Sequence, residues 1–304
     1  MNILHLKRHE IDDAIWDASL KTAGNRRIYA LTWYLDLVTQ GQWNALVSED
    51  YQYLYPLPFN KKIPGIFQVQ RPFICQQLGL FGPEVSDQVL QQFIKAIPKQ
   101  YRRINLSMNA ACRLPGLKER TNLELSLDRD LTTIRAGYSK SLRKRIRRAG
   151  TDLRVEQTND LSPILSMYRT EIGERLGWST TIFQRVEQLL TECLQRKKAA
   201  AYLVYNSSNE VIAGGCFLLG FGRVINVLGA ANGLGKKQFA THFLIDAVIE
   251  AHHEACTVFD FEGSDLPGVA DFFRSYGAER VPYYELERDE LPRVLRWLLS
   301  LKQW

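Results

Sequence analysis

The chain is poor in cysteine. Its 304 residues hold five, Cys75, Cys112, Cys193, Cys216 and Cys256, an odd number with no two close together. That spacing argues against a disulfide framework and against a zinc site, and no metal is expected. No run reaches the ~18 apolar residues of a membrane-spanning helix. The opening MNILHLKRHE lacks the apolar centre of a secretory leader. These absences make a reducing cytoplasmic setting the expectation, with no membrane span. Sequence repeats and low-complexity segments are missing too. Acid is missing from one stretch: residues 136–150, AGYSKSLRKRIRRAG, carry Lys140, Arg143, Lys144, Arg145, Arg147 and Arg148 and no Asp or Glu.

What is present suffices for packed cores. Forty-five per cent of residues are apolar, and the length suggests about two domains. The net charge of +6 favours anionic partners without choosing among phosphates, nucleic acid, acidic lipid and acidic substrates. In the basic stretch, Tyr138, Leu142, Ile146 and Ala149 recur at spacing four, four, three, so 138–149 reads as an amphipathic helix capped by Ser139. It is either a solvated connector or an anion clamp in which Arg145 and Arg148 take part. Before it, strands and helices alternate through about 130 residues, with Pro56 and Pro58 limiting how far a sheet extends. After it come a strand at 152–157, helices at 161–176 and 182–196, three strands within 201–228, a glycine loop at 229–235, a helix at 236–255 and a strand at the start of 257–278. A helix, a last strand at 281–286 and a closing helix at 291–301 complete the order.

The stretch 257–278, TVFDFEGSDLPGVADFFRSYGA, reads as strand, turn, helix, turn. Asp265 is placed to cap its helix, and Gly277 to end it. Asp260 and Glu262 stand two apart, so on a strand their side chains share a face. Two acids on an apolar strand seldom go unpartnered. That face is the first candidate for chemistry.

From residue 152 the element order resembles the Gcn5-related N-acetyltransferase (GNAT) fold. The words YSKSLRKRIRRA, VIAGGCFLLGFGRVINVLGAAN and FDFEGSDLPGVADFFRSYGAE resemble Fem-like proteins, in which two such folds are fused in tandem. WYLD and QQLGLFGP resemble their N-terminal half. The resemblance implies an α/β (α+β) fold of two tandem GNAT-like domains, 1–135 and 136–304, each with a mixed, mostly antiparallel sheet flanked by helices. It implies transfer of an acyl group from acyl-CoA, or of an aminoacyl group from tRNA, to an amine of a small molecule or peptide. A degenerate tandem that only binds a phosphate ligand or RNA stays open. Simple acetyltransferases bind coenzyme A with Q/R-x-x-G-x-G/A. Here the stretch is Ala230 to Gly235, with Ala230 at the Q/R position.

The candidate donor-binding residues are thus Leu228, Gly229, Gly233, Gly235, Lys236 and Lys237, since glycines before a helix let backbone N–H groups approach a phosphate. A plain strand-to-helix turn is the alternative. Amide formation needs a proton acceptor and a proton donor. Glu262 and Asp260 are the candidate bases and Tyr276 the candidate acid, against structural pairing of Asp260 and core packing of Tyr276. Trp178, Arg145, Arg148, Ser264 and Arg274 are candidate substrate contacts; for Trp178 packing is the alternative.

Overall fold

A computed structural model describes residues 1–63, 66–173, 177–263, 265 and 267–291. In chain order the elements are β1 (Ile3–Lys7), α1 (Asp13–Thr22), α2 (Thr32–Thr39), β2 (Trp43–Ser48), β3 (Leu54–Ile63), β4 (Ile66–Gln70), α3 (Asp87–Ala96), β5 (Tyr101–Met108) and β6 (Lys118–Arg120). They continue with β7 (Leu123–Ser126), α4 (Leu131–Ala136), α5 (Lys140–Ala149), β8 (Arg154–Thr158), α6 (Ser162–Tyr168), α7 (Thr180–Gln195), β9 (Ala199–Tyr205), β10 (Val211–Gly220) and β11 (Arg223–Ala231). Last come α8 (Gly233–Lys237), α9 (Ala240–His252), β12 (Val258–Asp260), α10 (Pro267–Arg274), β13 (Glu279–Arg280) and β14 (Tyr283–Asp289). The expected closing helix at 291–301 lies outside the described residues.

The chain forms two compact units, one of Met1–Arg120 with Pro282–Trp304 and one of Thr121–Val281. Each holds a seven-stranded mixed sheet. The first runs β1-β2-β3-β4-β5-β14-β6 and the second, from its other edge, β8-β9-β10-β11-β12-β7-β13. The two orders correspond strand for strand. In each, four antiparallel strands lead to one parallel step, β4 to β5 or β11 to β12. A sixth strand then covers the far side antiparallel, β14 against β5 and β7 against β12. The sequence shows no repeat, yet the architecture does. The sixth strands also correct the expected boundary at 135/136. β7, from before that point, completes the second sheet, and β14, from near the end, completes the first, because each parallel strand needs a partner along its outer edge.

Local chemistry explains most elements. Ser86, Ser139 and Ser179 each accept a backbone N–H at the start of α3, α5 and α7. Leu142 and Ala149 are buried where α5 packs on α9. β3 runs on through both prolines. Phe59 N–H donates to Gln42, so Pro56 and Pro58 fall at the alternate positions that do not donate to β2, and β4 pairs only from Phe59 on. The helix expected over 236–255 is broken. Phe239 adopts a left-handed conformation (φ 58°) and separates α8 from α9.

In the first unit, the edge of β5 past Asn105 is taken up by the chain's own irregular segment after β4: Leu78 N–H donates to Ser107 and Asn109 N–H to Leu78. In the second unit the corresponding strands behave differently. β11 and β12 share three register pairs, Arg223 with Val258, Val224 with Phe259 and Ile225 with Asp260. β11 then continues for six residues with no described strand along that edge.

Two neighbouring glycines at the start of α8 separate packing from freedom. A Cβ on Gly235 would stand 2.2 Å from the Ile212 carbonyl oxygen, whereas one on Gly233 would meet nothing within 4 Å. Gly235→Ala should cost about 2 kcal/mol and Gly233→Ala almost nothing, as read by thermal unfolding. Equal effects would contradict the packing at Ile212.

Candidate functional site

Where β11 and β12 part, a cavity of about 580 Å³ opens within the second unit. Asn226, Val227, Leu228 and Gly229 line it from β11, and Phe261, Glu262 and Gly263 from the chain just after β12. Thr241, Leu244 and Ile245 of α9, Phe272 and Phe273 of α10, and Tyr168 and Ile172 complete the walls. Most of this lining is apolar. Asn226, Glu262, Tyr168 and Thr241 supply the polar groups.

β11 is aimed by a bulge. Cys216 pairs with Leu228 and Phe217 with Asn226, which leaves Val227 as an extra residue. The shift brings Asn226 and Gly229 onto one face, and they are the two half-buried residues of an otherwise buried strand. Gly229 has a negative φ, and a Cβ there would meet nothing nearer than 3.8 Å, so neither backbone nor packing demands glycine.

Asp260 and Glu262 do not share a face. β12 ends at Asp260, and Glu262 lies beyond it in a left-handed conformation (φ 54°). Asp260 is 2% exposed. Its Oδ2 accepts from Arg223 Nη2 (2.8 Å), and its Oδ1 from Asn122 Nδ2 (3.0 Å) and the Glu262 N–H (2.9 Å). Arg223 also meets Glu124 at 2.5 Å. Asp260 is thus a buried anchor that fixes the turn presenting Glu262 to the cavity. Gly263 completes the turn; a Cβ there would stand 2.3 Å from the Thr121 carbonyl oxygen. The Asp265 side chain accepts the Thr121 N–H at 3.2 Å.

Tyr168, which the sequence reading missed, lines the same cavity as Glu262. α6 passes at Arg169–Gly173 into a turn of π-helix, which sets Tyr168 and Ile172 on the cavity wall. Burial first, and then the Glu262 charge, raise the Tyr168 phenol above its ordinary range. Trp178 packs on Tyr168 with ring centroids 5.4 Å apart and on Phe183 at 5.5 Å, so it supports the wall.

Tyr276 is fully buried, donates to the His242 carbonyl at 3.0 Å and lies outside the cavity lining. Burial pushes its phenol well up. This geometry gives it the packing role and no route to the cavity. Arg274 is exposed and pairs with Asp271 of its own helix at 3.0 Å. Ser264 lies outside the described residues.

The glycine loop opens α8 under an Asn cap. Asn232 caps α8 by accepting the Gly235 N–H at 2.9 Å, and Gly235 is glycine because Ile212 presses on it. Gly233, Gly235, Lys236 and Lys237 lie outside the cavity lining, and Lys236 pairs with Glu171. Positive charge gathers instead beside α9. The Arg145 and Arg148 guanidinium carbons lie 5.4 and 5.9 Å from the Phe239 ring centroid, at the start of a helix with no side-chain cap. Arg145 Nη1 lies 3.2 Å from His242 Nε2; arginine can only donate, so this nitrogen accepts. Burial, and then the Arg145 charge, lower His242 to about 4.

Neither a protein-family model nor a curated protein matches the sequence. Solved structures match its fold. FemX aligns over 98% of this chain and 99% of its own, at 13% identity and a TM-score of 0.70. L-PGS from Bacillus licheniformis aligns over 96% of both chains, at 15% identity and a TM-score of 0.53. A tandem GNAT protein from the clavulanic acid biosynthesis pathway aligns over 96% of this chain and 99% of its own, at 12% identity and a TM-score of 0.52. The chain therefore has the Fem-like tandem GNAT fold.

Two outcomes test this site. Asp260→Ala should lower stability by about 3 kcal/mol by removing a buried charged partner of Arg223 and the acceptor for Asn122 and the Glu262 N–H, whereas Glu262→Gly should raise it by about 1 kcal/mol by relieving the left-handed backbone. Denaturant unfolding reads both, and a stable Asp260→Ala would contradict the anchor. His242 binds its proton more weakly folded than unfolded. Its contribution to stability is full above pH 6.5 and is lost as pH falls towards about 4. His242→Phe should make the acid limb of a stability–pH profile shallower between those values; an unchanged limb would contradict the assignment.

Proposed function

We propose that the protein is an N-acyltransferase whose second unit holds an acyl thioester donor. The observation that carries this reading is the parting of β11 and β12 after Ile225 and Asp260, which leaves beside a cavity a strand edge that no described strand covers. An unpaired edge offers N–H and C=O groups to an extended ligand with amides of its own, and the arm of coenzyme A is such a chain. The tandem GNAT protein that shares the fold is described without AcCoA, which supports the same class of donor. The cavity reaches Thr241 in the first turn of α9, where the helix end is positive and Arg145 and Arg148 lie close by. Phosphates of the donor are assigned to that end rather than to the Gly233–Gly235 loop.

The bound donor supplies an activated carbonyl. A neutral amine forms the C–N bond as the C–S bond breaks, and the amine's proton ends on the departing thiol. Glu262, presented to the cavity, accepts that proton directly or through water. Tyr168, which lines the same cavity, returns one, a role Tyr276 is too buried to fill. Asp260 acts through Glu262 by holding its backbone.

A second reading has its own support. The acid-free face of α5 suits a longer polyanion, so the donor could be an aminoacyl-tRNA or the unit a binder of RNA. Calorimetry separates these readings. Coenzyme A should bind at micromolar concentration, and Arg145→Glu with Arg148→Glu should weaken it about tenfold and reduce its salt dependence. No binding of coenzyme A, together with salt-sensitive binding of tRNA, would overturn the first reading in favour of the second.

A further inference from the structure

Part of the cavity wall is hydrocarbon that the second unit leaves uncovered. Phe217, Phe261 and Phe273 line the cavity from the packed core and are themselves buried. Ile172, Val269 and Phe272 line it too, and each keeps surface open to solvent. Val269 is 37% exposed, one of four large apolar side chains so exposed among the described residues. The other three, Met1, Ile15 and Leu234, do not line the cavity. Single apolar side chains scattered on a surface need no explanation, but three gathered on one concave wall do.

These side chains are held in place. The Phe272 ring meets His242 and Tyr276 edge to face, with centroids 4.8 and 5.6 Å apart. Ile172 is set by the π-turn after α6. Val269 and Phe272 stand three apart on α10, with Cβ atoms about 5–6 Å apart as helical neighbours are. Glu262 is the one charged side chain among the described lining residues. A coenzyme A arm along β11 uses its amides there and leaves this wall without an occupant of matching chemistry. An acetyl group offers it one methyl, too little to reach both Val269 and Phe272. An acyl group ending in an ammonium would bring a charge against hydrocarbon that cannot pair with it.

We infer that the donor's acyl group is a hydrocarbon chain of four carbons or more, lying against Ile172, Val269 and Phe272. The inference rests on the acyl-thioester reading and names the class of acyl group within it. Burying such a chain takes out of water both its own surface and that of the three side chains, so affinity grows with chain length.

Titration calorimetry with a series of thioesters reads this without turnover. Each methylene buried is worth about fourfold in affinity, so butyryl-CoA should bind about fifteenfold more tightly than acetyl-CoA, and hexanoyl-CoA more tightly again. β-Alanyl-CoA has the shape of butyryl-CoA with an ammonium in place of the terminal methyl, and should bind no more tightly than acetyl-CoA. Val269→Ser alters an exposed side chain and should keep the thermal midpoint. It should weaken hexanoyl-CoA about fourfold and leave coenzyme A unchanged. Affinities that stay flat from acetyl-CoA to hexanoyl-CoA, or β-alanyl-CoA binding above butyryl-CoA, with coenzyme A still bound, would overturn this inference and leave the acyl-thioester reading standing. An unchanged hexanoyl-CoA affinity in Val269→Ser would do the same. Failure of coenzyme A and every thioester to bind would overturn that reading and this inference with it.

Discussion

The whole site depends on a parallel pairing that lasts three residues. Had β11 and β12 stayed in register past Ile225 and Asp260, their backbone groups would have satisfied one another and the sheet would have closed. Their separation leaves an edge of β11 that no described strand covers, beside a cavity lined from α9 and α10. The first unit shows the alternative. There the same parallel step is followed by the chain's own segment around Leu78, which occupies the continuing edge of β5. Two units with the same strand order therefore differ in which strand runs on past the parallel step, β5 in the first and β11 in the second.

The parting is held, not slack. Asp260, the last residue of β12, is fixed by Arg223 from β11 and by Asn122 just before β7, and so locks three adjacent segments together at the point of divergence. The same carboxylate accepts the Glu262 N–H and sustains a left-handed residue that costs roughly 1 kcal/mol. Strain at Glu262, the bulge at Val227 and the π-turn after Tyr168 all fall on the cavity wall. These three irregularities lie over a packed core that includes Phe217, Phe259 and Phe273.

Much of this was legible in the sequence, and the rest was hidden for physical reasons. Serine caps, the helix at 138–149 and the order of the second unit follow from local rules, since capping and periodicity need only neighbouring residues. The words shared with Fem-like proteins led to the right fold. Strand exchange was invisible because β7 and β14 find partners across long stretches of sequence. The apolar rhythm through Phe239, Phe243 and Leu244 hid the break between α8 and α9, because a left-handed phenylalanine leaves no periodic trace. Asp260 and Glu262 were expected on one face and are not, since the strand stops between them. Asn226 carried a signal that went unread: a polar residue within an apolar strand, three before Gly229, which was read as a candidate donor contact. At the glycine loop, where the Q/R residue is missing, the Asn232 side chain takes up the Gly235 N–H.

Amide hydrogen exchange along β11 tests the central claim most directly. With saturating coenzyme A, the amides of 226–231 that do not donate to β10 should slow markedly, while those of 223–225, already paired with β12, stay as they were. Equal exchange at 226–231 with and without coenzyme A would contradict the claim that the parted edge is where the donor lies.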